Sequence, residues 1–104
     1  MASRRRRVVW TAVAREAIQE ALEFIAEDSA EGARKVLHAA LDLASGLETL
    51  GDRGRIVPEI RDPDIREVFV YSYRLLYRVK PGQITILGFL HGARDFERWR
   101  RKRR

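Results

Sequence analysis

The chain has 104 residues, 45% of them hydrophobic, which suits one compact domain with one core. It has no cysteine, so a disulfide scaffold and a thiol nucleophile are excluded, and a reducing compartment fits. The net charge of +6 is unevenly placed: Arg4–Arg7 and the stretch Arg98–Arg104 hold ten of the 21 basic residues, leaving residues 8 to 97 net acidic. Two basic arms, 1–7 and about 97–104, thus flank an acidic-to-neutral body. Such arms either attract polyanions through long-range electrostatics or serve as solvated ends. No apolar run of signal-peptide or membrane-spanning length occurs, so a cytoplasmic protein with no membrane association is expected.

Val8-Val9-Trp10 is a short β-prone run. Thr11 is placed to cap a helix, in which Val13, Ala17, Ala21 and Ile25 recur every fourth residue, with Ile18, Leu22 and Phe24 widening the stripe. That helix should end near Glu27. Asp28-Ser29-Ala30-Glu31 resembles a capping box with Asp28 in the cap position, opening a second helix with Val36, Leu37, Ala40, Leu41, Ala44 and Leu47 on one face. The short junction predicts an antiparallel helical hairpin. Gly51, Gly54 and Pro58 mark a loop. Three strand-like runs follow: Arg66 to Ser72, Tyr73 to Lys80, and Gln83 to His91. The last two are separated by the turn signal Pro81-Gly82.

The reading is therefore α+β, in the order β-α-α-β-β-β, with an antiparallel sheet, a helical hairpin on one face and the other face open. Alternation along the middle late strand turns Tyr73, Leu75, Tyr77 and Val79 to the core, and Arg74, Leu76, Arg78 and Lys80 to the open face. A short helix is expected past Asp95, with Phe96 and Trp99 meeting at i,i+3 spacing.

The segments Gly54-Arg55-Ile56-Val57-Pro58-Glu59, Ile65-Arg66-Glu67, Tyr73-Arg74-Leu75-Leu76-Tyr77-Arg78-Val79 and Leu90-His91-Gly92-Ala93-Arg94-Asp95 resemble the RelE/ParE superfamily of toxins from bacterial type II toxin–antitoxin modules. The resemblance spans roughly residues 8 to 96 and is closer to ParE-like members. It implies a growth-inhibiting, plasmid-stabilising toxin, silenced in a hetero-oligomer by a cognate antitoxin. Leu76, Leu87 and Phe89 are candidate antitoxin contacts, or core. It also implies one of two targets: DNA gyrase, or mRNA on the ribosome.

A RelE-like endoribonuclease would need no metal or cofactor. Arg74 and Arg94 would stabilise the developing phosphorane charge, Glu59 would serve as base and His91 as acid. Arg74 equally suits an ion pair with Glu67 or Asp95, Glu59 one with Arg61 or Arg66, and His91 a hydrogen-bonded strand end. The tyrosine or His-Tyr pair at the C-terminus of well-known nucleases is missing, since the stretch here reads Asp95-Phe96-Glu97-Arg98-Trp99. That departure favours a ParE-like action on gyrase. A non-toxic nucleic-acid-binding protein is the second alternative. Arg66, Arg78, Trp99 and Arg100 are candidate contacts to a target or to nucleic acid. With two histidines and no cysteine, a zinc site is not expected.

Overall fold

The computed structural model describes residues 5–102. Its elements run β1 (Arg7–Trp10), α1 (Ala12–Asp28), α2 (Ala30–Gly46), β2 (Arg55–Ile56), β3 (Ile65–Val70), β4 (Tyr73–Lys80), β5 (Gln83–Leu90) and α3 (Gly92–Lys102). The β-α-α-β-β-β reading holds, with β2 added, and the short helix expected past Asp95 is α3. Residues 97–102 of the basic arm belong to it, and Arg7 opens β1. The remainder of the arms, residues 1–4 and 103–104, lies outside the described residues.

Both caps of the hairpin follow from side chains that accept orphan backbone N–H groups. Thr11 Oγ1 accepts from Ala14 N at 3.0 Å. The second cap is Ser29 and not Asp28. Asp28 is the last residue of α1, whereas Ser29 is extended (φ −158°) and its Oγ accepts from Gly32 N at 2.8 Å. Its own backbone N–H closes α1 onto Ile25 O, so one residue terminates one helix and starts the next.

The sheet order is β1-β5-β4-β3-β2. The pairings among β2, β3, β4 and β5 are antiparallel, as expected, but β1 joins β5 in parallel, with Val8 opposite Ile84 and Trp10 opposite Ile86. The sheet is thus mixed. A strand as short as Val8-Val9-Trp10 carries no signal of direction. Its direction follows from packing α1, which begins two residues after Trp10, across β5.

The hairpin packs on one face, where Ala14, Ile18, Val36, Ala40, Ala44 and Leu47 meet Val68, Val70, Leu75, Tyr77, Ile84, Ile86 and Phe89. The alternation read along β4 is observed: Tyr73, Leu75, Tyr77 and Val79 belong to this core. Phe24 and Leu41, counted in the helical stripes, are instead exposed (67% and 47%).

The second face is not left open. Helix α3 covers part of it, and Phe96 and Trp99 form a second core with Val57, Ile65, Leu76 and Leu90. The two rings meet at 5.5 Å, as their i,i+3 spacing predicts. A register shift opposite Leu76 and Tyr77 makes this possible. Leu76 pairs with Gly88 and Tyr77 with Ile86, so Leu87 is an extra residue in β5. The bulge reverses the alternation. Before it, Ile84 and Ile86 face the hairpin; after it, Phe89 does. This explains why β5 is apolar at nearly every position. The bulge also frees Leu87 O to accept the Trp99 indole N–H at 2.7 Å. Gly88 leaves the room the indole fills, since a Cβ there would sit 2.7 Å from Trp99 Nε1 and 2.8 Å from Cδ1.

Gly88→Ala should therefore lower stability by about 1–3 kcal/mol, the usual cost of overpacking. Thermal melting followed by tryptophan fluorescence checks this; an unchanged melting temperature would mean that α3 is not seated on Gly88.

Candidate functional site

On the face that α3 only partly covers, Glu67 stands in the middle of β3 with its side chain wholly buried. A buried carboxylate must be paired, and here two guanidinium groups meet it. Arg55 Nε donates to Glu67 Oε2 and Arg74 Nε to Glu67 Oε1, both at 2.6 Å. Pairing places them: Arg55 is directly opposite Glu67 across β2 and β3, and Arg74 comes from the adjacent strand β4. Arg74 then turns its free end outward. Its Nη2 and Nη1 donate to Glu59 Oε1 and Oε2 at 2.7 and 3.0 Å, a bidentate pair. The hydrogen bond from Arg74 holds the Glu59 carboxyl below its ordinary value of 4.5, against a smaller opposing effect of burial. The same bond raises the guanidinium of Arg74.

Two aromatic rings support the cluster. The Arg74 and Arg100 guanidinium carbons lie 5.4 and 5.1 Å from the centroid of the buried Phe96 ring, and that of Arg55 lies 5.2 Å from Phe69. The loop before β2 is fixed by Tyr77, whose buried hydroxyl donates to Gly51 O at 2.8 Å and accepts from Gly54 N at 2.9 Å. A Cβ on Gly54 would sit 2.5 Å from that hydroxyl, so glycine is required there.

The residues singled out in the sequence separate in the fold. Arg74, Glu59 and Arg100 come together in this cluster. His91 stands apart from these ion pairs: its backbone N–H donates to Asp95 Oδ2 at 3.0 Å, and its ring tilts against Tyr73 at 5.0 Å. Arg66 is committed to main chain, donating to Gly54 O and Pro63 O, and Arg78 is half-buried between Ile65 and Thr85. Arg94 lies in α3, and its side chain is outside the described residues.

Of the two roles left open for the apolar candidates, burial in the core is the one seen for Leu76 and Phe89. Leu76 (0% exposed) is sealed beneath α3, while Phe89 (3%) stacks on Tyr73 with centroids 4.8 Å apart. Leu87 is half-buried at the bulge, and Trp99 is 3% exposed over Gly88. The cause is the seating of α3 on the sheet or the β5 bulge, neither of which the alternation predicted.

Sequence reasoning missed Arg55 and gave Glu67 only as a possible partner of Arg74. The available signal was a lone glutamate inside the apolar strand Ile65–Val70, on the same face as Arg74. It also missed a groove of about 1070 Å3 on the hairpin side. Ala17, Ala21 and Phe24 of α1, Val36 of α2, Tyr71 and Trp99 are among the residues lining it. Phe24 and Tyr71 stand about two-thirds exposed, Tyr71 in a left-handed turn with φ 55°.

The architecture is also found in a solved structure described as the chromosomal ParDE TA system from P. aeruginosa. The TM-score is 0.67 at 19% identity, over 83% of this chain and 95% of that one. The fold is thus shared with that structure. The family model for the ParE toxin of the type II toxin-antitoxin system, parDE, matches residues 8–96, and the chain belongs to that family. No curated protein matches the sequence.

The ion pairs separate two kinds of carboxylate. Glu67→Gln should cost about 3 kcal/mol, the low end for a broken buried pair because Arg55 keeps more than half its side chain in water. Glu59→Gln should cost no more than about 1 kcal/mol, as its side chain is 38% exposed. Because the Glu59 pKa is depressed on folding, its contribution is present above the ordinary value of 4.5 and disappears as pH falls through the lowered one. Denaturant titrations from pH 7 to pH 3 should show wild type and Glu59→Gln converging at the acid end. A constant gap would mean that the pair does not titrate with folding. Arg74→Ala strips a partner from buried Glu67, so its effect on toxicity is read beside its effect on stability.

Proposed function

We propose that this ParE-family toxin inhibits growth by acting on DNA gyrase and cuts no RNA. The observation that carries this reading is the state of Arg74. Its outward fork is closed by Glu59, and its inward edge by Glu67. Metal-free RNA cleavage needs a free cation beside the phosphate, a base and an acid. Here the candidate base, Glu59, gives both oxygens to Arg74, and its lowered pKa makes it a weak proton acceptor. The candidate acid, His91, packs at the start of α3. For Arg74 to reach a phosphate Glu59 must swing away, and it then no longer stands beside that group as the base.

The family's toxin–antitoxin setting implies a partner that silences the toxin, here a cognate antitoxin in a cytoplasmic hetero-oligomer. The groove between α1 and the Tyr71 turn suits an apolar antitoxin segment. It is walled by small and aromatic side chains, and it offers Lys35, Arg98, Glu20 and Asp95 to a charged flank. Phe89, a candidate from the sequence, lines this groove, whereas Leu76 is sealed within the chain.

Purified toxin freed of antitoxin should abolish gyrase supercoiling while leaving mRNA intact on programmed ribosomes. Cleaved mRNA with normal supercoiling would reverse the assignment. For the groove, Phe24→Glu should leave supercoiling inhibition unchanged and weaken antitoxin binding at least tenfold, as loss of a buried aromatic anchor does. Undiminished antitoxin binding would place the antitoxin elsewhere.

A further inference from the structure

The two carboxylates on Arg74 differ in how firmly they are held. Glu67 belongs to a strand and is sealed from water between two arginines. Glu59 belongs to a turn, in which Ile60 N and Arg61 N both bond Val57 O and Arg61 takes φ 59°. Its side chain is 38% exposed, so a rotamer change alone would lift it off Arg74. An exposed pair of this kind is worth little, whereas the fork it occupies is rigid. Arg74 is fixed at Nε by Glu67 and lies against the Phe96 ring, with Arg100 against the same ring. Arg55, Arg74 and Arg100 bring three positive charges to this spot, and Glu59 and Glu67 bring two negative ones. With Glu59 swung away, a preformed bidentate site faces solvent with two charges in excess.

We infer that Arg74, with Arg55 and Arg100 beside it, is a docking site for an acidic side chain of a protein partner, which Glu59 occupies in the free chain as an internal stand-in. The geometry already holds a carboxylate at hydrogen-bonding distance from both Nη atoms. The neighbourhood fits a peptide: Phe69 is 54% exposed under Arg55 and offers an apolar contact next to the charged one. The site therefore takes an aspartate or glutamate flanked by an apolar residue. Glu59 raises the concentration of partner needed and disfavours isolated anions. This inference stands on the side-chain geometry and is independent of whether gyrase is the target.

Hexaglutamate peptide is titrated into the full-length chain at low salt, read by the arginine Nε–H signals in 15N spectra and by calorimetry, with hexathymidylate as the parallel arm. Glu59→Gln should bind hexaglutamate up to about fivefold more tightly than wild type, the reach of one surface ion pair, and Arg74 Nε–H should shift. Glu16→Gln, which removes the same charge from exposed α1, should bind as wild type does. Arg100→Gln, which leaves the buried pairs whole, should weaken binding in the Glu59→Gln background. Arg74→Lys in that background should erase the gain. If Arg74→Lys melts early, the Arg100 variant still decides. Equal affinity of wild type and Glu59→Gln, or an equal gain in Glu16→Gln, would overturn the inference. So would a preference for hexathymidylate, which would make this a phosphate site.

Discussion

A carboxylate with no access to water organises one whole side of this molecule. Glu67 brings a full negative charge into the middle of β3, and such a charge persists only when opposite charges meet it. Arg55 and Arg74 do so from the strands on either side. The requirement fixes much else. Arg55 must be held on a strand of two residues, so the loop before it is tied down by the Tyr77 hydroxyl and admits only glycine at position 54. Arg74 must present Nε inward, so its other nitrogens point outward. The reactive-looking side of the protein is thus set by the needs of a buried acid.

The second organising feature is one extra residue. Without the bulge at Leu87, β5 would alternate regularly and place a large side chain where the Trp99 indole lies. With it, Gly88 falls under Trp99, Leu87 O meets the indole N–H, and α3 gains a seat on the sheet. Among the described residues, Phe96, Trp99, the indole N–H on Leu87 O and the Asp95 cap on His91 N–H anchor this arginine-rich helix, while Arg100 remains outside to cover Phe96.

Much of this was legible in the chain. Period-four apolar positions marked both helices, Pro81-Gly82 marked the β4–β5 turn, and alternation along β4 sorted its residues to the correct faces. What was not legible came from long-range geometry. Residues 55 and 56 are too few to show a strand period, and Val8-Val9-Trp10 gives no direction. The apolar run in β5 hid a bulge, and nothing in the sequence showed that α3 would seat on Leu76, so the sequence left Leu76 and Phe89 open between contact and core. In the site, Arg74 and Glu59 were recognisable by type, but they lie 15 positions apart, and only the folded sheet reveals that they neutralise one another. Arg55 gave no warning because its partner is defined by cross-strand register.

The sheet also ends in an unusual way at both sides. One border is the four-residue β1, and the other is β2, so short that the Val68–Val70 part of β3, paired with β4 on one side, has no described strand on its other side. Bare strand borders invite a second chain to add on, which is the usual route to aggregation. Here Arg7 and Arg55 stand on the two border strands as exposed cations, and Tyr71 turns the chain sharply where the uncovered stretch of β3 ends. Like charges would meet if two copies aligned border to border. The two exposed arginines thus work against border-to-border pairing of two copies.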